Sequence, residues 1–264
     1  MNGVNNMITQ IRADLYRQRH SAGTLITVVL SIIYATLIIW NKAAGGISIN
    51  TESSHSSLDQ LVNKSWSVLD SVHAATLSST VLLYLLIAIF TIVIGCEFSQ
   101  HVYKNTLVSG ISRLQFILAK YITLLINICG LLLIYYLTTI AVALVAGRQL
   151  GTPLNHLIRD TITTLLTTAF FVSVIFSLAI LLLIISKSVV ASTVLIILWP
   201  ILISTVRIFS GWRWLNYVDF FGAANRIAFG TIKDSQLPSY ILVSVGTLIV
   251  SILGAAVLIH EQEL

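Results

Sequence analysis

The sequence predicts an all-α integral membrane protein with six transmembrane helices, and three observations carry that prediction. Of its 264 residues, 56% are hydrophobic and only 9% are charged, whereas a soluble domain is roughly 25% charged. The apolar residues gather into six runs close to the ~20 residues needed to cross a bilayer. Between the runs lie polar segments too short for a sizeable soluble domain. Residues 1–264 therefore read as a single transmembrane domain with spans at about 22–40, 77–95, 116–146, 161–185, 189–206 and 239–259.

Ahead of the first span, Val4, Ile8, Ile11 and Leu15 recur at helical spacing, while Arg12, Arg17 and Arg19 lie elsewhere around the helix. That pattern predicts an N-terminal amphipathic helix lying in the membrane interface. The run at 22–40 follows this basic segment as a signal peptide would, but it is longer than a usual signal core and leads to no small-residue cleavage site. It reads as a retained span. Residues 42–57 are rich in Gly, Ser and Asn and have no period, which marks an exposed loop. Leu58, Leu61, Val62, Trp66, Leu69 and Val72 then form a helical stripe interrupted by Asp59, Lys64 and Asp70, too polar to span. A second interfacial helix is expected there.

Between spans two and three, residues 97–120 form a long polar interruption with an internal pattern. Ser112 followed by Gln115 is a capping box and places a helix start near Arg113. Gly110 suits the end of a separate short helix over 100–109. Span three stays apolar for nearly thirty residues, about 45 Å of helix against about 30 Å of hydrocarbon, so it must tilt or project. Ser186-Lys187-Ser188 allows only a tight turn, which makes spans four and five an antiparallel hairpin. Pro200 is expected to kink or end span five. Residues 207–238 mix Trp212, Trp214, Tyr217, Phe220, Phe221 and Phe229 with Arg207, Arg213, Asp219 and Arg226, a composition suited to the membrane–water boundary.

Six spans place both termini on one side. The raw count of Lys and Arg does not choose that side, at seven against eight, but Arg12, Arg17 and Arg19 precede the first span and only Lys42 closely follows it. The positive-inside rule then puts both termini in the cytoplasm.

The composition excludes several kinds of chemistry. The span cores are expected to be free of Asp, Glu, Lys, Arg and His, which weighs against a proton-driven transporter and against an intramembrane hydrolase. The six histidines never stand three or four residues apart, so no pair shares a helical face for a metal. Cys96 and Cys129, the two cysteines, lie far apart in or beside apolar spans and imply neither disulfide nor metal. The net charge of +5 is spread over all loops, as anionic lipid favours, rather than gathered for nucleic acid. No G-x-x-x-x-G-K-[ST] loop occurs, so any ATP must be bound by another subunit. Thr161, Thr163, Thr164, Thr167 and Thr168 either bond across helices or return to their own backbone. The pairs Ser31–Ala35 and Ser173–Ser177 have the small-residue spacing of close helix contacts. Glu97, at the C-terminal end of span two, opposes the helix dipole and calls for a nearby cation such as Lys104 or Arg113.

Glu97 closing span two, Asn105-Thr106 with Leu107 and Val108 in the linking helix, Ser112-Arg113 at the turn and Lys120 inside span three carry a resemblance. With six spans and an N-terminal interfacial helix, the chain resembles the membrane subunits of type-two ATP-binding-cassette exporters. It differs in having Asn105 where Gly is common and Gly110-Ile111 where Pro often precedes the Ser-Arg pair. The resemblance implies a cytoplasmic coupling helix between spans two and three and partly re-entrant external helices between spans five and six. It implies an ATPase-coupling set of Glu97, Lys104, Asn105, Thr106, Leu107, Val108, Ser112 and Arg113, with no catalytic, cofactor or metal residue in this chain. ATP and Mg would sit on a separate ATPase subunit, and a second permease, the same chain or a different one, would complete the path. A bacterial plasma membrane and an amphiphilic cargo follow from the same resemblance, the cargo being an antimicrobial peptide, a drug or a lipid-linked molecule. Two other classes compete: a non-transporting membrane sensor or assembly protein, and a channel. The channel lacks a charged ring or a Gly-rich filter sequence.

Overall fold

The computed structural model describes residues 2–42, 66–100, 102–103, 106, 111–212, 214–232 and 235–262, and among them every regular element is a helix. An N-terminal helix α1 (Asn2–Arg19) precedes the first span α2 (Ala22–Asn41). A short α3 (Val68–Leu77) leads into α4 (Thr80–Ser99), and the remaining spans are α5 (Arg113–Val145), α6 (Leu154–Ser186), α7 (Val189–Ser210) and α10 (Leu237–Gln262). Between α7 and α10 lie two short helices, α8 (Leu215–Val218) and α9 (Phe220–Ala228). Among the described residues, six helices are thus long and apolar enough to cross a membrane.

Local chemistry sets the helix ends. The Ser112–Gln115 capping box forms in both directions: Gln115 N–H donates to Ser112 Oγ at 3.3 Å, and Ser112 N–H donates to Gln115 Oε1 at 3.4 Å. A second box, Ser67 with Asp70, starts α3. Of the stripe read from Leu58, residues 58–65 lie outside the described residues. Lys42 and Lys187 end α2 and α6 in the left-handed conformation, at φ of +52° and +54°.

Several helix ends differ from the span limits read from the sequence, three of them for a local reason. α4 begins at Thr80, because Ser78 and Ser79 turn their hydroxyls back onto Ala74 O and Thr76 O and separate it from α3. α6 begins at Leu154, seven residues before the apolar core at 161, because Pro153 is preset for a helix entry. α7 continues through Pro200 to Ser210 and ends at Gly211, whose φ is +65°. Proline is tolerated inside membrane helices where neighbouring groups re-satisfy the freed carbonyl, so Pro200 does not end the helix.

Helix α6 is the centre of the bundle, packing on α5, α7, α9 and α10. In its apolar stretch 72% of residues are buried, against 11% in α7. Polar seams run between α6 and its neighbours. The Tyr121 and Ser173 hydroxyls meet at 2.9 Å and Ser251 donates to Ser177 at 2.8 Å. Thr161 instead donates to Leu157 O of its own helix, so both fates weighed for the span hydroxyls occur.

On α3, the His73 ring lies 5.1 Å from that of Phe229, and burial lowers its pKa against the opposing pull of Asp70 and Asp160. The unfolded chain therefore takes up the proton first, near pH 6.5, so stability falls as pH drops below that value and levels off below the folded pKa. The thermal midpoint in detergent is expected to decline between about pH 7 and pH 5, with His73→Gln flattening part of the slope. Superimposable profiles for the two proteins would remove His73 as the cause.

Candidate functional site: a buried ion network joining three segments

Along α1, Asp14 and Gln18, one turn apart, are fully buried, and Met7, Gln10, Ile11 and Leu15 are half-buried. Of the apolar stripe read for an interfacial helix, Ile8 is exposed while Ile11 and Leu15 are half-buried. The helix turns two polar groups toward α5 because α5 carries their partners. Asn127 Nδ2 donates to Gln18 Oε1 at 2.8 Å, and Lys120 Nζ donates to Asp14 Oδ2 at 2.8 Å and Oδ1 at 2.9 Å.

Helix α4 brings the second carboxylate. Its regular turns run over Thr80–Phe90, a π-helical turn occupies Thr91–Gly95, and α-helix resumes at Cys96. Just beyond the π turn, Glu97 Oε2 lies 2.7 Å from Lys120 Nζ and Oε1 lies 2.9 Å from Arg17 Nη1. The Lys120 contact is an ion pair without good hydrogen-bond direction, so Lys120 spends its directed donors on Asp14. Arg17 Nη2 also donates to Val93 O within the π turn and to Asp14 Oδ1, both at 3.3 Å.

Two carboxylates thus face two cations from α1, α4 and α5. Side-chain exposure is 1% for Lys120, 3% for Asp14 and 6% for Glu97, while Arg17 at 44% reaches outward. Taking such charges out of water is costly, and mutual pairing offsets that cost only when every partner is present. Burial raises the Asp14 carboxyl above its ordinary range, opposed chiefly by Lys120. The arrangement is a joint: complementary charges fix the α1 and α4 ends against α5.

Among the described residues, the cations that meet Glu97 are Arg17 and Lys120, because the helical register turns Glu97 toward α5 two turns above its start. The expectation that the span cores are free of charge is corrected, since Lys120 lies within α5 and is fully buried. Among the coupling set, Glu97 enters the network, Ser112 and Arg113 open α5, and Thr106 is half-buried. Lys104, Asn105, Leu107 and Val108 lie outside the described residues. Asp14, Gln18 and Asn127 were missed; the signal for Asp14 was Lys120 itself, since an ionisable group in an apolar run needs a counter-charge. Among the described residues no cluster of His, Cys, Asp or Glu could hold a metal ion.

A second ion cluster ties the segment after α7. Asp219 accepts from Arg207 Nη1 at 3.1 Å, lies 3.7 Å from Arg226 Nη2 and caps α9 through Gly222 N–H at 3.0 Å. Asn216 Oδ1 accepts from both arginines. Phe220, Phe221, Ala223 and Ala224 of α9 are buried, and α9 packs on α6. No protein-family model matches the chain, and no curated protein matches it.

Proposed function

We propose that the chain is the permease subunit of an ATP-driven exporter, coupled through residues 98–113 to a separate ATPase subunit. The observation that carries this reading is the ion network, which makes α1, α4 and α5 move together at the end of the bundle from which 97–112 emerges. A force transmitted between subunits needs a stiff element joined directly to spans. Here α4 enters the polar segment through Glu97 and α5 leaves it through the Ser112 cap, so displacement of residues 100–109 reaches both spans and α1 at once.

In this reading residues 100–109 are the cytoplasmic coupling helix, α1 lies in the interface, and both termini face the cytoplasm of a bacterial cell. The α8–α9 segment is the partly re-entrant external element between spans five and six. A second permease, identical or different, completes the path, and ATP and Mg are held by the ATPase subunit. Lys120 is neutralised within the network, which leaves the lipid-facing spans suited to an amphiphilic cargo such as an antimicrobial peptide, a drug or a lipid-linked molecule.

The tagged chain is expected to co-purify with a soluble ATPase subunit from its native membrane. In that complex, Glu97→Ala and deletion of 100–109 should each abolish cargo-stimulated ATP turnover while the subunits stay associated in the Glu97→Ala complex. Wild-type stimulation in both variants would overturn the coupling role. A chain that is stable alone, with no ATPase partner, would favour a membrane sensor or assembly protein.

A further inference from the structure

At the end of the bundle opposite the ion network, a cleft of about 630 Å³ opens between the end of α2, the start of α3 and the α5–α6 loop. Its walls include Trp40, Lys42, Trp66, Ser67, Arg148 and Gln149. Lys120 and Val145 are separated by roughly 37 Å along α5, so the cleft and the network are far apart.

The walls are fixed. Val68 N–H donates to Gln149 O at 2.9 Å, joining the start of α3 to the α5–α6 loop. Gly151, at φ +77°, passes so close to Ser67 that a Cβ there would come within 2.6 Å of its side chain. Arg148 donates from Nη1 to Ser71 Oγ at 2.8 Å and from Nη2 to Ile39 O, and its guanidinium lies 5.3 Å from the Trp66 ring. These bonds use two of its five N–H donors and leave others for a ligand.

The lining is cationic and aromatic. Lys42 is exposed at the rim, and the neighbouring carboxylate, Asp70, is engaged with Ser67 N–H at 2.9 Å and Ser67 Oγ at 2.7 Å. Trp40 is largely exposed beside the cleft while Trp66 is buried in its wall. Indoles at the end of an apolar span, beside Lys and Arg, match the level of lipid head groups, and Lys and Arg are the side chains that recognise phosphate.

We propose that this cleft binds the phosphate head group of an anionic phospholipid, with Lys42 and Arg148 supplying the cationic contacts and Trp40 lying beside the acyl chains. The site does not depend on the permease reading.

Native mass spectrometry of the protein released from mixed phosphatidylglycerol and phosphatidylcholine bilayers tests this. Wild type is expected to retain phosphatidylglycerol over phosphatidylcholine. Lys42→Asn keeps a residue tolerant of the left-handed backbone and removes one near-surface cation, which should lower that retention about fivefold. Lys187→Asn, at the left-handed lysine that ends α6 on the far side of the bundle, should leave retention unchanged. Equal retention of the two lipids, or equal losses in the two variants, would overturn the assignment. Displacement of the lipid by inorganic phosphate would assign the cleft to a free anion and overturn it as a lipid site.

Discussion

Replacing Lys120 by Met is expected to lower the thermal midpoint of the detergent-solubilised protein by on the order of 10 °C. Lys120 Nζ lies within 2.9 Å of Asp14 and Glu97, both almost fully buried. Without it, two carboxylates share one partly exposed cation, Arg17. Breaking a buried ion pair from one side costs about 3–5 kcal/mol, because the surviving charge stays desolvated. Restoring charge balance should recover much of the loss, so Lys120→Met with Asp14→Asn is expected to be more stable than Lys120→Met alone. Thermal unfolding followed by fluorescence checks both proteins. Equal destabilisation of the single and double variants would show that Asp14 and Lys120 do not act as a pair.

The second large effect is expected at Asp219. Its carboxylate faces Arg207 and Arg226 and caps α9, so Asp219→Ala strands two guanidiniums and uncovers a helix N-terminus. Loss of the ionic partner costs about 3 kcal/mol and loss of the cap about 1 kcal/mol. Because α9 is held to α6 largely by Phe220, Phe221, Ala223 and Ala224, the first consequence is expected to be local opening of this short element. Hydrogen exchange over 220–228 should accelerate strongly while exchange in α6 changes little. Asp219→Asn keeps an oxygen for Gly222 N–H and should fall between wild type and Asp219→Ala. Unaltered exchange over 220–228 in Asp219→Ala would refute the clamp.

The spans were legible because crossing a bilayer needs apolar length, a property of contiguous sequence that requires no knowledge of neighbours. The start of α5 was legible for the same reason: Ser112 and Gln115 satisfy each other's backbone donors within one turn. The candidate site was legible only at Glu97, as a carboxylate at an awkward helix end; Lys120 enters the sequence reading through the resemblance alone, and the need of its charge for a partner inside the span goes unread. Its counterpart Asp14 is 106 residues away from Lys120, and nothing local ties the two. Reading α1 for apolar period finds the stripe that an interfacial helix offers to lipid and passes over Asp14, because the pattern says nothing of which polar residues meet a neighbouring helix. Here the partner helix offers charge, so the polar residues face inward. Pro200 misled for a related reason, since its effect on a helix depends on what surrounds the freed carbonyl.

The π turn at Thr91–Gly95 has one more consequence for the joint. A π turn accommodates one residue beyond the α-helical count, and each added residue rotates everything after it by about 100°. Glu97 stands directly downstream, so its meeting with Arg17 and Lys120 depends on that extra residue as much as on being a carboxylate. Arg17 binds both the Val93 carbonyl inside the turn and the Glu97 side chain beyond it, bracketing the inserted residue from outside the helix. The joint therefore has a phase as well as a charge: if the π turn were lost or migrated past Glu97, the helix would remain intact while Glu97 swung out of reach.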